Sequence, residues 1–115
     1  MRFNSNCVRD ILMTAEENTG YQIEMIYESP SQFPRLSKYT DDEIMYHMQQ
    51  CKKNDLIVGF EDILGRFQIK DLTQDGHTLI AKIREDTVWS KISKTVIPSI
   101  PVLIQIASEV YKLIY

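Results

Sequence analysis

Thr40 to Thr73 reads TDDEIMYHMQQCKKNDLIVGFEDILGRFQIKDLT, and it passes from a helical period to a strand period without a break. Thr40 with Glu43 three residues on is a capping box. Asp41, Asp42 and Glu43 suit the positive end of a helix dipole. Ile44, Met48, Cys51 and Asp55 then share one helical face, while Asp42, Glu43, Tyr46, Gln49, Gln50 and Lys53 occupy the other. Leu56 to Phe60 reads as a strand, Gly65 as a turn and Gln68-Ile69-Lys70 as the start of a second strand. A helix followed at once by a short hairpin is the order of a winged helix. The expected class is α+β: a winged helix-turn-helix-like domain with a small antiparallel sheet and an extra C-terminal helix.

Working outward, Asn4 or Ser5 caps a first helix carrying Cys7, Val8, Ile11, Leu12 and Ala15, which ends near Asn18-Thr19-Gly20. Tyr21 to Tyr27 alternates, predicting a strand with Tyr21, Ile23, Met25 and Tyr27 on its buried face. Ser29 to Pro34 holds two prolines and must be a connection, with room for a turn of helix near Leu36. Beyond the hairpin, Thr73 caps one long helix whose core face is Leu79, Ile80, Ile83, Val88 and Ile92, with Trp89 at its edge. Pro98 interrupts it, and Ser99 starts a last helix, Ile100 to Tyr115. The expected division is a winged-helix-like unit over 1–97 and a helix over 98–115 packing on it or on a second subunit.

With 115 residues, 43% of them apolar and 25% charged, the chain suits one globular domain rather than a disordered or membrane protein. Met1 to Asp10 lacks an apolar core of signal-peptide length. Ile100 to Tyr115 is too short to span a bilayer and is broken by Gln105, Glu109 and Lys112. A cytoplasmic setting without a membrane partner is therefore expected, with Cys7 and Cys51 as reduced core thiols. The net charge is −3, and Asp10, Glu16, Glu17, Glu24 and Glu28 against Arg2 and Arg9 place that excess in the first 28 residues.

The residues also carry a family resemblance. Leu72-Thr73-Gln74-Asp75-Gly76-His77, followed by Leu79 and Ile83-Arg84-Glu85-Asp86-Thr87-Val88-Trp89, resembles the Leu-Thr-x-x-Gly-His … Ile-Arg-x-Asp-Thr-x-Trp signature of the domain of unknown function 2513. Val8-Arg9-Asp10-Ile11-Leu12, and Ile44-x-Tyr46-His47 running on to Leu56-Ile57, agree with it too. Cys51 stands where that family usually has leucine, and Asn54-Asp55 where it has a small residue and glycine. Asn54 is the expected left-handed stop of the helix there. The resemblance implies a winged-helix-like fold and a phage or prophage setting, and it implies no established activity.

No constellation points to chemistry. His47 and Cys51 lie four apart on one helix, but only Cys7 and His77 could complete a zinc site, so no metal and no cofactor is expected. His77 has no nucleophile and orienting acid placed to converge on it, so the reading is non-enzymatic. Arg84 is expected to pair with an acid elsewhere, and Trp89 to cover the core edge. Two binding readings compete. In the first, a DNA-binding regulator reads DNA with Tyr46, Gln49, Gln50 and Lys53, helped by Arg66 of the hairpin, since glutamine and lysine suit base edges and phosphate. In the second, the same scaffold is a protein-interaction module, such as a phage protein binding a host factor. The acidic helix start and Glu61-Asp62 in the hairpin favour the second. The last helix is apolar on nearly every side, so a homodimer is expected through Leu103, Ile106, Val110, Leu113 and Ile114.

Overall fold

Asn4, not Ser5, caps the first helix, because its side-chain oxygen accepts from the Asn6 amide at 3.0 Å. The computed structural model describes residues 1–115 as an α+β domain of five α-helices and one open three-stranded antiparallel sheet. In chain order these are α1 (Ser5–Asn18), β1 (Met25–Tyr27), a 3-10 turn (Pro30–Gln32) and α2 (Asp41–Lys53). Then come β2 (Ile57–Glu61), β3 (Phe67–Leu72), α3 (Gln74–Ile83), α4 (Asp86–Ile92) and α5 (Ile100–Ile114). The sheet order is β1-β3-β2. Its inner face, Met25, Tyr27, Phe67 and Ile69, packs with α1 and α2 around Ile11, Leu12, Ile44 and Met48.

The first strand is shorter than its alternation predicts. Gln22 takes a left-handed φ of 59°, and Gly20 and Ile23 bridge each other, folding residues 20–23 into a tight turn. That reversal throws Tyr21 and Ile23 off the core face, and they are 91% and 62% exposed. Residues 28–39 form the expected connection. The helical turn falls at Pro30–Gln32, where the Gln32 side-chain oxygen accepts from the Glu28 and Ser29 amides. Leu36 is buried among plain turns.

The capping box of α2 forms between Thr40 and Glu43. At the other end the left-handed residue is Asp55 (φ 57°), not Asn54 (φ −98°). The Leu56 amide donates to the Cys51 carbonyl and the Asp55 amide to that of Lys52, the paired bonds of a Schellman motif. The chain turns at once into β2, whose pairing with β3 carries a bulge between Val58 and Gly59.

Thr73 then locks α3 to this corner. Its side chain accepts from the Gly76 amide, its hydroxyl donates to the Asp55 carbonyl, and its own amide donates to the Leu56 carbonyl. A Cβ on Gly76 would collide with that same Leu56 carbonyl oxygen, so the helix can approach this closely only with glycine.

The long helix expected after Thr73 is two helices. It breaks at Arg84-Glu85, where Glu85 is extended (φ −67°, ψ 123°) and becomes the N-cap of α4. The break lets Arg9 of α1 satisfy the freed carbonyls, since its guanidinium donates to Ile83 at 2.7 Å and Arg84 at 2.9 Å. Helix α5 then lies against α3 and α4 with Ile100, Leu103 and Ala107 buried. Leu103, expected at a dimer seam, is 0% exposed and belongs to this chain's own core. Helix geometry explains the change: Ile100, Leu103 and Ala107 follow the i, i+3, i+7 rhythm of a single inward stripe. Ile106, Val110 and Ile114 flank it, half-buried against the core, while Leu113 points away. No helix is long and apolar enough to cross a membrane.

Candidate functional site

The residues expected from the sequence to carry recognition divide into two places. On α2, Tyr46, Gln49 and Gln50 are half-buried, and Lys53 is exposed beside Lys52 in the last turn. Tyr46 sits edge-on to His47 at 5.0 Å, so part of its ring is spent on packing. The first turn of α2 is Asp41, Asp42 and Glu43. Asp41 accepts the Tyr27 hydroxyl at 2.6 Å, and Glu43 closes the capping box. Three carboxyl side chains are therefore gathered at this end.

Arg66 lies in the hairpin turn, and its charge is already engaged. Its Nε donates to Asp62 at 2.8 Å and its Nη1 lies 3.9 Å from Glu28. Asp62 is the centre of the turn. Its carboxylate accepts from the amides of Leu64 and Arg66, from the Arg66 guanidinium and from the Gln68 side chain. The Gln68 bond first, with the Arg66 and Leu64 donors, holds its pKa down at about 2. The turn is thus braced by one ionised carboxylate, and its only cation is not free to meet a phosphate.

What this brace presents is apolar. Ile63 is 101% and Leu64 72% exposed at the hairpin tip. Below them, Phe60 of β2 and Ile26 of β1 both stand opposite Gln68 on the outer face of the sheet, and both are exposed. Val58 and the displaced Tyr21 and Ile23 continue that face to its base. Residue-by-residue reading missed this surface because alternation assigns Tyr21 and Ile23 to the core and turns are expected to be polar. One signal was present: two large aliphatics in a turn, Asp62-Ile63-Leu64-Gly65, with no inward role to play.

The motif blocks meet around Arg9. Besides the two carbonyls, Arg9 reaches Asp86 at 3.2 Å and stacks 5.1 Å from the centre of the Trp89 ring. The Trp89 indole N–H donates to Asn6 at 3.0 Å, and Arg84 pairs with Glu16 at 3.1 Å. Residues far apart in sequence thus dock α1 onto the α3–α4 corner. A family model described as hypothetical protein (DUF2513) matches residues 2–99, which include all of these positions. The chain belongs to this family. No curated protein and no solved structure matches it. Much of the block that resembles the DUF2513 signature serves architecture: Thr73 and Gly76 close the α2–β2–α3 corner, and the Arg84 carbonyl, Asp86 and Trp89 surround Arg9, while His77 lies at the surface beside Asp71. Helix α5 lies outside the DUF2513 match.

The histidines and thiols are arranged as follows. His47 is enclosed, its Nδ1–H donating to the Glu43 carbonyl at 2.6 Å while Nε2 accepts the Asn4 amide at 2.8 Å. Both ring nitrogens are occupied, and burial lowers its pKa against the pull of that carbonyl. The Cys7 thiol is pushed up to about 12, by burial first and then by Glu43 and Asp10. Burial drives that of Cys51 still higher. His77 stands 3.4 Å from Asp71 at the surface. No three His, Cys, Asp or Glu side chains converge as a metal site would require.

Proposed function

We propose that the chain is a non-catalytic protein-recognition module on a winged-helix scaffold, and that it recognises its partner with the hairpin tip and the outer face of the sheet. The scaffold reading is supported by the order α1–β1–α2–β2–β3, the sheet order β1-β3-β2 and the hairpin that directly follows α2. The observation that carries the functional reading is the braced tip with Ile63 and Leu64 outermost. Apolar side chains in so exposed a place are costly to leave in water, and they suit a complementary pocket. The alternative partner, DNA, is supported by the polar face of α2 with Gln49, Gln50 and Lys53. It is opposed by the acidic first turn of that helix and by the engagement of Arg66 with Asp62.

Two variants separate the readings. Ile63→Ser with Leu64→Ser changes only exposed side chains, so the fold is expected to survive while partner capture from a host extract is lost. Gln49→Ala with Lys53→Ala leaves capture intact on this reading. DNA binding that weakens steeply with salt and disappears in the second variant would replace it with the regulator reading.

A further inference from the structure

The outer face of the sheet has a defined groove at its base. It measures about 830 Å³ and runs between the turn Gly20–Ile23 and the strands, lined by Tyr21, Ile23, Val58 and Leu72 with Glu24, Lys70 and Asp71 at its rim. That volume holds several side chains, more than one anchor residue needs. Its lining is mixed: Tyr21, Ile23 and Val58 give it large exposed apolar side chains, and Gln22, Glu24, Lys70 and Asp71 give it polar ones. Its charges are unbalanced. Glu24 makes no ion pair, and Asp71, which accepts the Leu72 amide, has as its one ion-pair partner His77, which carries charge only when protonated. Lys70, on β3 beside them, is the groove's one cation. Further up the face Arg66 is taken by Asp62 and leans on Glu28, so it adds no free positive charge.

We infer that this groove receives a cationic amphipathic segment of a partner protein, its apolar side chains against Tyr21, Ile23 and Val58 and its lysines or arginines beside Glu24 and Asp71. The inference rests on the protein-recognition reading and adds the partner's chemistry to it. Charge complementarity selects the occupant. An acidic segment would set like charges against Glu24 and Asp71, and a second copy of this chain is itself net negative at −3. Nucleic acid is disfavoured by the same two carboxylates. Above the groove on the same strand Phe60 follows Val58 at the outward i+2 position, and Ile63 and Leu64 lie beyond it at the hairpin tip, while Ile26 stands across Gln68 on β1.

The probe is a pair of synthetic twelve-residue peptides with identical leucine and valine positions, the intervening sites being lysine in one and glutamate in the other. Each is titrated into the isotope-labelled full chain at two salt concentrations, and amide shifts are followed. The expected result is shifts at residues 20–26, 58–60 and 68–72, with the lysine peptide binding about 10-fold tighter or more, as close complementary charges allow. Glu24→Gln with Asp71→Asn, both exposed and therefore compatible with an unchanged melting temperature, should shrink that preference to about twofold. Equal affinity of the two peptides at these amides overturns the charge preference and leaves the sheet-face reading standing. Shifts confined to residues 46–53, or none with either peptide at millimolar concentration, overturn both. A short DNA duplex that shifts the groove amides more than the lysine peptide does also overturns the inference.

Discussion

Arg9 and Arg84 both belong to the motif blocks, yet they differ in what surrounds them. The Arg9 side chain is only 15% exposed, donates to two carbonyls, and lies over Trp89. Its pairing with Asp86, which is 99% exposed, adds little. Arg84 meets Glu16 near the surface, where an ion pair contributes under about 1 kcal/mol. Arg9→Lys keeps the charge but loses the planar fork, and should cost about 2–3 kcal/mol in urea unfolding. Arg84→Ala should cost less than about 1 kcal/mol, and a reversal of that ranking would contradict the hub role of Arg9. His47 gives a second prediction at this scale. Because burial lowers its folded pKa below the ordinary 6.5, the unfolded chain binds a proton that the native chain refuses. Stability is therefore full above about pH 6.5 and declines as pH falls below it, since protonation would remove the acceptor for the Asn4 amide. A urea midpoint that stays flat from pH 8 to pH 5 would rule this out.

Among the elements, the α2–β2–α3 corner concentrates backbone constraint. Asp55 holds a left-handed φ that glycine adopts at little cost, so Asp55→Gly should stabilise the chain by about 1 kcal/mol. Gly76→Ala acts oppositely. Its methyl would enter the Leu56 carbonyl, so separating α3 from the corner should cost about 3 kcal/mol or more, or abolish folding. Thermal melts of both variants would check the signs. The same corner shows what sequence could and could not reveal. The Thr40 box, the Thr73 cap and the switch from helical to strand period are local signals, and they located α2, β2 and β3 to within a residue or two. The left-handed Asp55 and the turn at Gln22 are closed by local backbone bonds at residues that lack glycine's usual mark of such a conformation, and the break at Glu85 has its partner, Arg9, brought by folding. Arg9 could not be assigned to the carbonyls of residues 83 and 84 from spacing along the chain.

In the whole molecule, α5 packs as a single inward stripe, which sets the test of association apart from the test of folding. Leu103→Ala should cost about 2–5 kcal/mol as a buried cavity, with no bearing on oligomeric state. Leu113 is 85% exposed, so Leu113→Glu should leave the melting temperature unchanged. If a second copy pairs through the outer side of α5, that variant also converts a dimer to a monomer in light scattering; identical masses before and after would remove the helix from any seam. The apolar character of α5 was legible in the sequence, but which side meets its own domain was not, because Ile100, Leu103 and Ala107 are marked only by their contacts with α3 and α4.

The bracing of the hairpin by Asp62 has a kinetic consequence for the proposed partner. Ile63 and Leu64 sit on a loop whose amides and carboxylate are already bonded to one another. Little backbone freedom remains to be surrendered on docking, so the tip resembles a key already cut rather than a tether that must be wound in. Association should then follow one exponential phase with a rate linear in partner concentration, and weaker tips should reveal themselves in shorter residence times rather than slower encounters.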